Sequence, residues 1–155
     1  AMKIAEQTTY PSWGYMLANG ATTVWERWEL MTGSEMNSHD HPMMGSIGSW
    51  FYKVLAGINV SQDAFAFDKI SLQPHFADTL DNVTASHETI LGTIKSAWKR
   101  ENGKITLNVE IPTGSTATLA LPGEVTTTDK DVSVIFKDSN RTVLQLGSGA
   151  YEFVI

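Results

Sequence analysis

The stretch TIKSAWKRENGKITLNVEI, Thr93 to Ile111, reads as two strands and the turn between them. Ile94, Ser96 and Trp98 alternate with Lys95, Ala97 and Lys99, the period of a strand with one face in a core and one in water. Asn102-Gly103 follows, a pair that accepts the positive φ angles of a type I′ turn. Ile105, Leu107, Val109 and Ile111 then fall on one face. Outward from this hairpin, Lys69 to Leu72 reads as a strand stopped by Pro74. Thr116 to Leu121, Val132 to Phe136, Thr142 to Leu146 and Tyr151 to Ile155 are further short apolar runs between turn residues. Such a series predicts an antiparallel β-sandwich from Asn59 onward.

Before Ile58 the period is helical. Tyr10-Pro11-Ser12-Trp13 reads as a helix entry with Pro11 in the first turn, where its missing N–H costs nothing. Trp13, Met16 and Leu17 share a face, and Asn19-Gly20 ends the segment. Thr22 or Thr23 is placed to cap a second short helix through Trp25, Trp28 and Leu30. Thr32 to Asp40 is polar loop. Pro42 opens a third helix, with Met43, Met44, Ile47, Trp50, Phe51, Val54 and Leu55 as its stripe, and Gly57 ends it. The expected fold is thus a short helical segment, residues 1–58, followed by an antiparallel sandwich, residues 59–155. The three helices hold four of the chain's five Trp. They lack the partner surface to bury them. They read as the edge of a larger helical body, with an apolar face that another copy of the chain or a rearranged helix would cover.

Composition narrows the function classes. Apolar residues make up 42% of the 155, enough for a core. The net charge of −6, with 11 scattered Lys and Arg, disfavours nucleic acid and anionic membrane as partners. No apolar run approaches the roughly 20 residues of a membrane span, and the first residues do not read as a signal peptide. Cysteine is absent, which excludes disulfides and thiol catalysis. Ala1 ahead of Met2 reads as a residue left by tag cleavage.

The chemistry concentrates in TTVWERWEL, Thr22 to Leu30. Glu26 lies between Trp25 and Trp28. A tryptophan face suits a sugar ring, and a carboxylate beside it loses water. Desolvation by the two rings would raise the pKa of Glu26 and Arg27 would oppose it; spacing leaves the balance open. Glu29 reads as a surface charge. His39 and His41 flank Asp40, but a metal needs three or four converging ligands, so no metal and no cofactor is expected. Asp78, Asp81 and Glu88 lack the density of a calcium loop. His75 and His87 read as exposed. Trp50, Phe51 and Trp98 read as packing residues. Asn82-Val83-Thr84 and Asn140-Arg141-Thr142 fit a glycosylation triplet too common to carry weight.

Four segments together resemble one family. YPSWGYMLANGATTVWERWE, SHDHPMMGSIGSWFYKVLAGI, FDKISLQP and VTASHETILGTIKSAWKRENGKITLNVEIPTGSTATLALP are similar to the C-terminal end of bacterial α-L-rhamnosidases of glycoside hydrolase family seventy-eight. The resemblance runs from about Thr9 to Pro122. It implies a parent enzyme several times longer, acting on a rhamnose-containing glycoside or oligosaccharide. The helical segment would be the last helices of an (α/α)6 barrel. Inverting glycosidases use two carboxylic acids, one as acid and one as base. By the resemblance Glu26 is the general base and His41 contacts rhamnose. Trp25 and Trp28 wall the sugar site. The general acid lies in an upstream segment with no counterpart here, so the 155 residues alone should be inactive. Cytoplasm, periplasm and cell exterior all remain open for the parent.

A different class competes with this: a carbohydrate-binding or purely structural sandwich, to which Glu26 is incidental. An aromatic row on the outward sheet face would favour binding. The alternation turns Phe136, Tyr151 and Phe153 inward or to strand ends, which favours a scaffold.

Overall fold

The computed structural model describes residues 1–35, 38–125 and 131–155. The chain forms two compact units, residues 1–49 and 50–155. The division falls earlier than the change of sequence period at Ile58, because the end of the third helical run belongs with the sheets.

In the first unit, helix α1 spans Met2–Glu6 and α2 spans Trp13–Ala18. The cap of α2 is Ser12, whose hydroxyl accepts from the Tyr15 N–H at 2.8 Å. Pro11 therefore precedes the helix instead of occupying its first turn. Ser12 Oγ also donates to the carbonyls of Gln7 and Thr9, at 2.6 and 2.9 Å. One buried hydroxyl thus ties the connection after α1 to the start of α2. Met16 is buried, but Leu17 is 70% exposed.

No helix forms over Thr22–Leu30. The 3-residue spacing of Trp25 and Trp28 imitates a helical stripe, yet the backbone bonds of this stretch run sideways. Glu26 N–H donates to Ser38 O at 3.1 Å, and His41 N–H donates to Val24 O at 2.8 Å. Lateral partners replace the i−4 carbonyls a helix would use. The third helical run is present. It begins as a 3₁₀ turn, Met43–Ser46, continues as α3, Ile47–Trp50, and widens to a π turn, Phe51–Leu55. Gly57, with φ of 72°, lets the chain leave it.

The second unit is a β-sandwich. Its strands are β1 (Ile58–Val60), β2 (Lys69–Leu72), β3 (Asn82–Thr89), β4 (Gly92–Glu101), β5 (Lys104–Ile111), β6 (Thr116–Pro122), β7 (Val132–Lys137), β8 (Arg141–Leu146) and β9 (Gly149–Val154). One sheet has the order β1-β2-β6-β8-β7, the other β3-β4-β5-β9. Pairing is antiparallel except between β2 and β6, which run parallel. The β4–β5 hairpin turns at Asn102 and Gly103, with φ of 51° and 77°, as their sequence predicts.

Register explains the core. Val83, Trp98, Leu107 and Phe153 lie abreast across one sheet. Leu72, Leu119 and Leu144 lie abreast across the other. All but Val83, which is half-buried, are buried in one cluster between the sheets. On the outward face Lys95 stands opposite Glu110 and their charges meet at 2.6 Å. At an exposed site this pair contributes at most about 1 kcal/mol, so the inward row carries the fold.

Three residues of the second unit differ from their expected positions. Phe136 is 45% exposed, not turned inward, because it lies near the end of edge strand β7, where every residue from Ser133 to Lys137 is exposed. Its ring lies under the Arg141 guanidinium at 5.1 Å. Phe51 is 42% exposed, not a core residue. His87 is half-buried, facing the rings of Phe67 and Tyr52 at 4.9 and 6.3 Å.

Candidate functional site

The first unit brings TTVWERWEL against the SHDH stretch, Ser38 to His41. Two backbone bonds, Glu26 to Ser38 and His41 to Val24, join the stretches. The Thr23 hydroxyl adds a third link by donating to the His39 carbonyl. Residues 12 apart in sequence are thereby adjacent.

Glu26 is half-buried. Its Oε2 accepts from the Ser38 N–H at 3.0 Å, while its own N–H donates to the Ser38 carbonyl. A charge-assisted bond of this type holds a carboxylate more firmly than a neutral pair would. Trp25 is buried, 3% exposed, and meets the His39 ring edge-on at 5.7 Å. Trp28 is half-buried and meets Trp13 edge-on at 4.9 Å. The Trp13 indole N–H donates to the Met44 carbonyl at 3.1 Å, which ties α2 to the third helical run.

His41 is half-buried. Its Nδ1 accepts from the Met43 N–H at 3.2 Å. In the neutral ring the proton then sits on Nε2, which becomes a donor. That is the state in which an imidazole recognises a hydroxyl oxygen.

Glu29 is exposed and accepts from the Tyr10 hydroxyl at 2.9 Å. Its carboxyl is held below the usual range, first by its own backbone N–H and then by Tyr10. The Tyr10 phenol is raised in turn, chiefly by the same hydrogen bond. No signal in the sequence pairs these two residues, which are 19 apart. Ser38 was likewise unmarked beyond its place in the SHDH stretch.

Among the described residues no three His, Asp or Glu side chains converge to hold a metal. Among the described residues no helix is long and apolar enough to cross a membrane. On the four-stranded sheet, a cavity of about 300 Å³ is lined by Lys95, Ala97, Asn108, Glu110 and Glu152, with Val109, Ala150 and Tyr151 also reaching it. The outward side chains among these are polar or small, and Tyr151 is buried in the core with 8% of its surface exposed, so its ring is no platform for a sugar.

Comparison with known proteins matches both units. Residues 1–55 match the model of the bacterial α-L-rhamnosidase six-hairpin glycosidase domain. Residues 57–136 match that of the bacterial α-L-rhamnosidase C-terminal domain. The chain belongs to the bacterial α-L-rhamnosidase family. An α-L-rhamnosidase of Formosa agariphila is 31% identical over 97% of this chain and 18% of its own length. One from Streptomyces avermitilis is 27% identical over 100% of this chain and 16% of its own. The crystal structure of the Streptomyces avermitilis enzyme complexed with L-rhamnose superposes with a TM-score of 0.87, covering 99% of this chain and 16% of that one. The α-L-rhamnosidase from Dictyoglumus thermophilum gives 0.83 at 34% identity, over 99% of this chain and 18% of that one. This chain thus spans about a sixth of the length of the rhamnosidases it matches.

Proposed function

We propose that this chain is part of an inverting glycosidase that removes terminal α-L-rhamnose from rhamnosides, and that Glu26 is its general base. Residues 1–58 supply the last helices of the catalytic (α/α)6 barrel, and residues 59–155 form the C-terminal β-sandwich domain. The observation that carries this reading is the fixed Glu26 carboxylate, bonded to the Ser38 amide in the loop that also presents His41.

The chemistry follows from that placement. A water beside Glu26 gives up a proton to the carboxylate as its oxygen attacks the anomeric carbon. The bond to the leaving oxygen breaks on the opposite face, where a carboxylic acid from outside this chain supplies a proton. The two carboxyl groups of such a pair stand roughly 6.5–9.5 Å apart to admit the water. His41, with Nε2–H as donor, holds a rhamnose hydroxyl. Trp28 presents ring surface to the sugar, and buried Trp25 backs the wall through His39. With the acid elsewhere, the 155 residues alone do not turn over substrate. Leu17, Met43 and Tyr10, each more than half exposed, belong to the face that packs on the rest of the barrel and through which isolated copies associate.

The test is Glu26→Gln in the full-length parent, assayed on an aryl α-L-rhamnoside. Loss of a general base lowers kcat by roughly two to four orders of magnitude with little change in KM. Near-normal turnover would place the base outside this chain.

A further inference from the structure

We propose that Ser38 is the positioning residue of the Glu26 carboxylate. This rests on the reading of Glu26 as base. The two residues grip each other twice. The Ser38 N–H donates to Glu26 Oε2 at 3.0 Å, and the Glu26 N–H donates to the Ser38 carbonyl at 3.1 Å. Residue 38 therefore fixes both the backbone and the side-chain end of residue 26.

A glutamate side chain has three rotatable bonds and wanders unless something stops it. A general base must stay within hydrogen-bond reach of one water, and errors near an ångström cost rate steeply. A backbone amide is a better stop than a side chain, provided its own loop is fixed. The Ser38 hydroxyl supplies that condition. It donates to the Asp40 carbonyl at 2.8 Å and accepts from the Asp40 N–H at 3.0 Å. The chain is folded back on itself at this point. Beyond Ser38, His41 N–H to Val24 O and Thr23 Oγ1 to His39 O fasten the loop to the strip that carries Glu26. Serine suits the position because one hydroxyl answers both polar groups of Asp40, which alanine would leave to solvent. The loop also delivers His41, so the base and the sugar-contacting imidazole share one support.

The experiment uses the full-length parent with Ser38→Ala, Ser38→Thr, Glu26→Gln and the Ser38→Ala/Glu26→Gln double variant on an aryl α-L-rhamnoside. Ser38→Ala is expected to lower kcat about tenfold to a hundredfold, less than removal of the base, with KM unchanged. Ser38→Thr, which keeps the hydroxyl, retains most of the rate. In the Glu26→Gln background Ser38→Ala adds little, because there is no base left to position. Wild-type kcat in Ser38→Ala, or additive losses in the double variant, overturns the proposal and leaves Glu26 as base. Full activity in Glu26→Gln sinks the underlying reading instead. Should Ser38→Ala fail to fold, amide hydrogen exchange decides. Glu26→Ala must speed exchange at the Ser38 N–H, and an unchanged rate refutes the clasp.

Discussion

The Ser96 hydroxyl, fully buried on β4, donates to the Ala56 carbonyl at 2.7 Å. Two residues along the same strand, the Trp98 indole N–H donates to the Leu55 carbonyl at 3.3 Å. The last carbonyls of a helical run have no partner within the helix. Here the sheet supplies them, and a buried polar group on β4 finds its own partner at the same time. Ser96→Ala keeps the packing nearly intact but strands the Ala56 carbonyl. An unsatisfied buried acceptor costs about 1–3 kcal/mol. Urea unfolding of the 155-residue chain, followed by the β-sheet signal in far-ultraviolet circular dichroism, should show a loss of that size. An unchanged midpoint would mean that water replaces the hydroxyl.

Gly57 makes a sharper case. A Cβ at this position would lie 2.1 Å from the Pro74 nitrogen and 2.2 Å from the Gln73 carbonyl carbon, both backbone atoms that cannot step aside. Its φ of 72° penalises a side chain independently. Positive φ costs an L-residue about 1–2 kcal/mol, and overpacking commonly adds 1–3. Gly57→Ala should therefore destabilise the chain by about 3 kcal/mol or more. By contrast, Gly103→Ala at the open hairpin turn meets no neighbour and should lose only the φ contribution. Equal losses in the two variants would show that the close approach to Pro74 relaxes freely.

These positions also show where the sequence speaks and where it is silent. The β4–β5 hairpin was legible because Asn102-Gly103 demands one turn type and the flanking alternation is strict. β3, NVTASHET, was missed: of its inward residues Val83, Ala85, His87 and Thr89 only Val83 is a large apolar residue, so the alternation is too weak to mark it. TTVWERWEL misleads for a different reason. Two tryptophans three apart look helical, whereas partners 12 to 17 residues away decide the backbone, and no local pattern encodes them. Phe136 fails because β7 is an edge strand that buries only Val132, so its alternation of residue types has no core to face beyond that point. That Trp25 and Trp28 lie beside Glu26 is plain in the sequence; the tie of Glu26 to Ser38 is not.

The Tyr10–Glu29 pair sets a pH window. Glu29 is depressed from an ordinary value of 4.5 and Tyr10 is raised from 10.0. A depressed carboxyl adds stability above its unfolded value, and loses it as pH falls through the folded one. A raised phenol adds stability below its unfolded value, and loses it as pH rises through the folded one. The contact is therefore fully present between about 4.5 and 10 and weakens on both sides. Tyr10→Phe should move the Glu29 carboxyl back toward 4.5 in an NMR titration, but only part of the way, because the Glu29 backbone N–H is the larger cause. A Glu29 that titrates identically in both proteins would mean the bond does not form in solution.

His41 separates the two roles assigned to its loop. If the loop only holds Glu26, replacing the imidazole should leave KM untouched, because the His41 backbone N–H to Val24 persists in any non-proline variant. If the imidazole also holds a rhamnose hydroxyl through Nε2–H, removing it loses one hydrogen bond to substrate. A bond of that type contributes about 0.5–1.5 kcal/mol net, which corresponds to roughly a two- to tenfold rise in KM. His41→Ala in the full-length parent, assayed on an aryl α-L-rhamnoside, should show that rise, with a smaller change in kcat than Glu26→Gln. His41→Gln gives the contrast, since its amide N–H₂ is also a donor and should recover part of the affinity. A fall in kcat alone, with KM fixed, would make His41 a support for Glu26 and remove it from the sugar site.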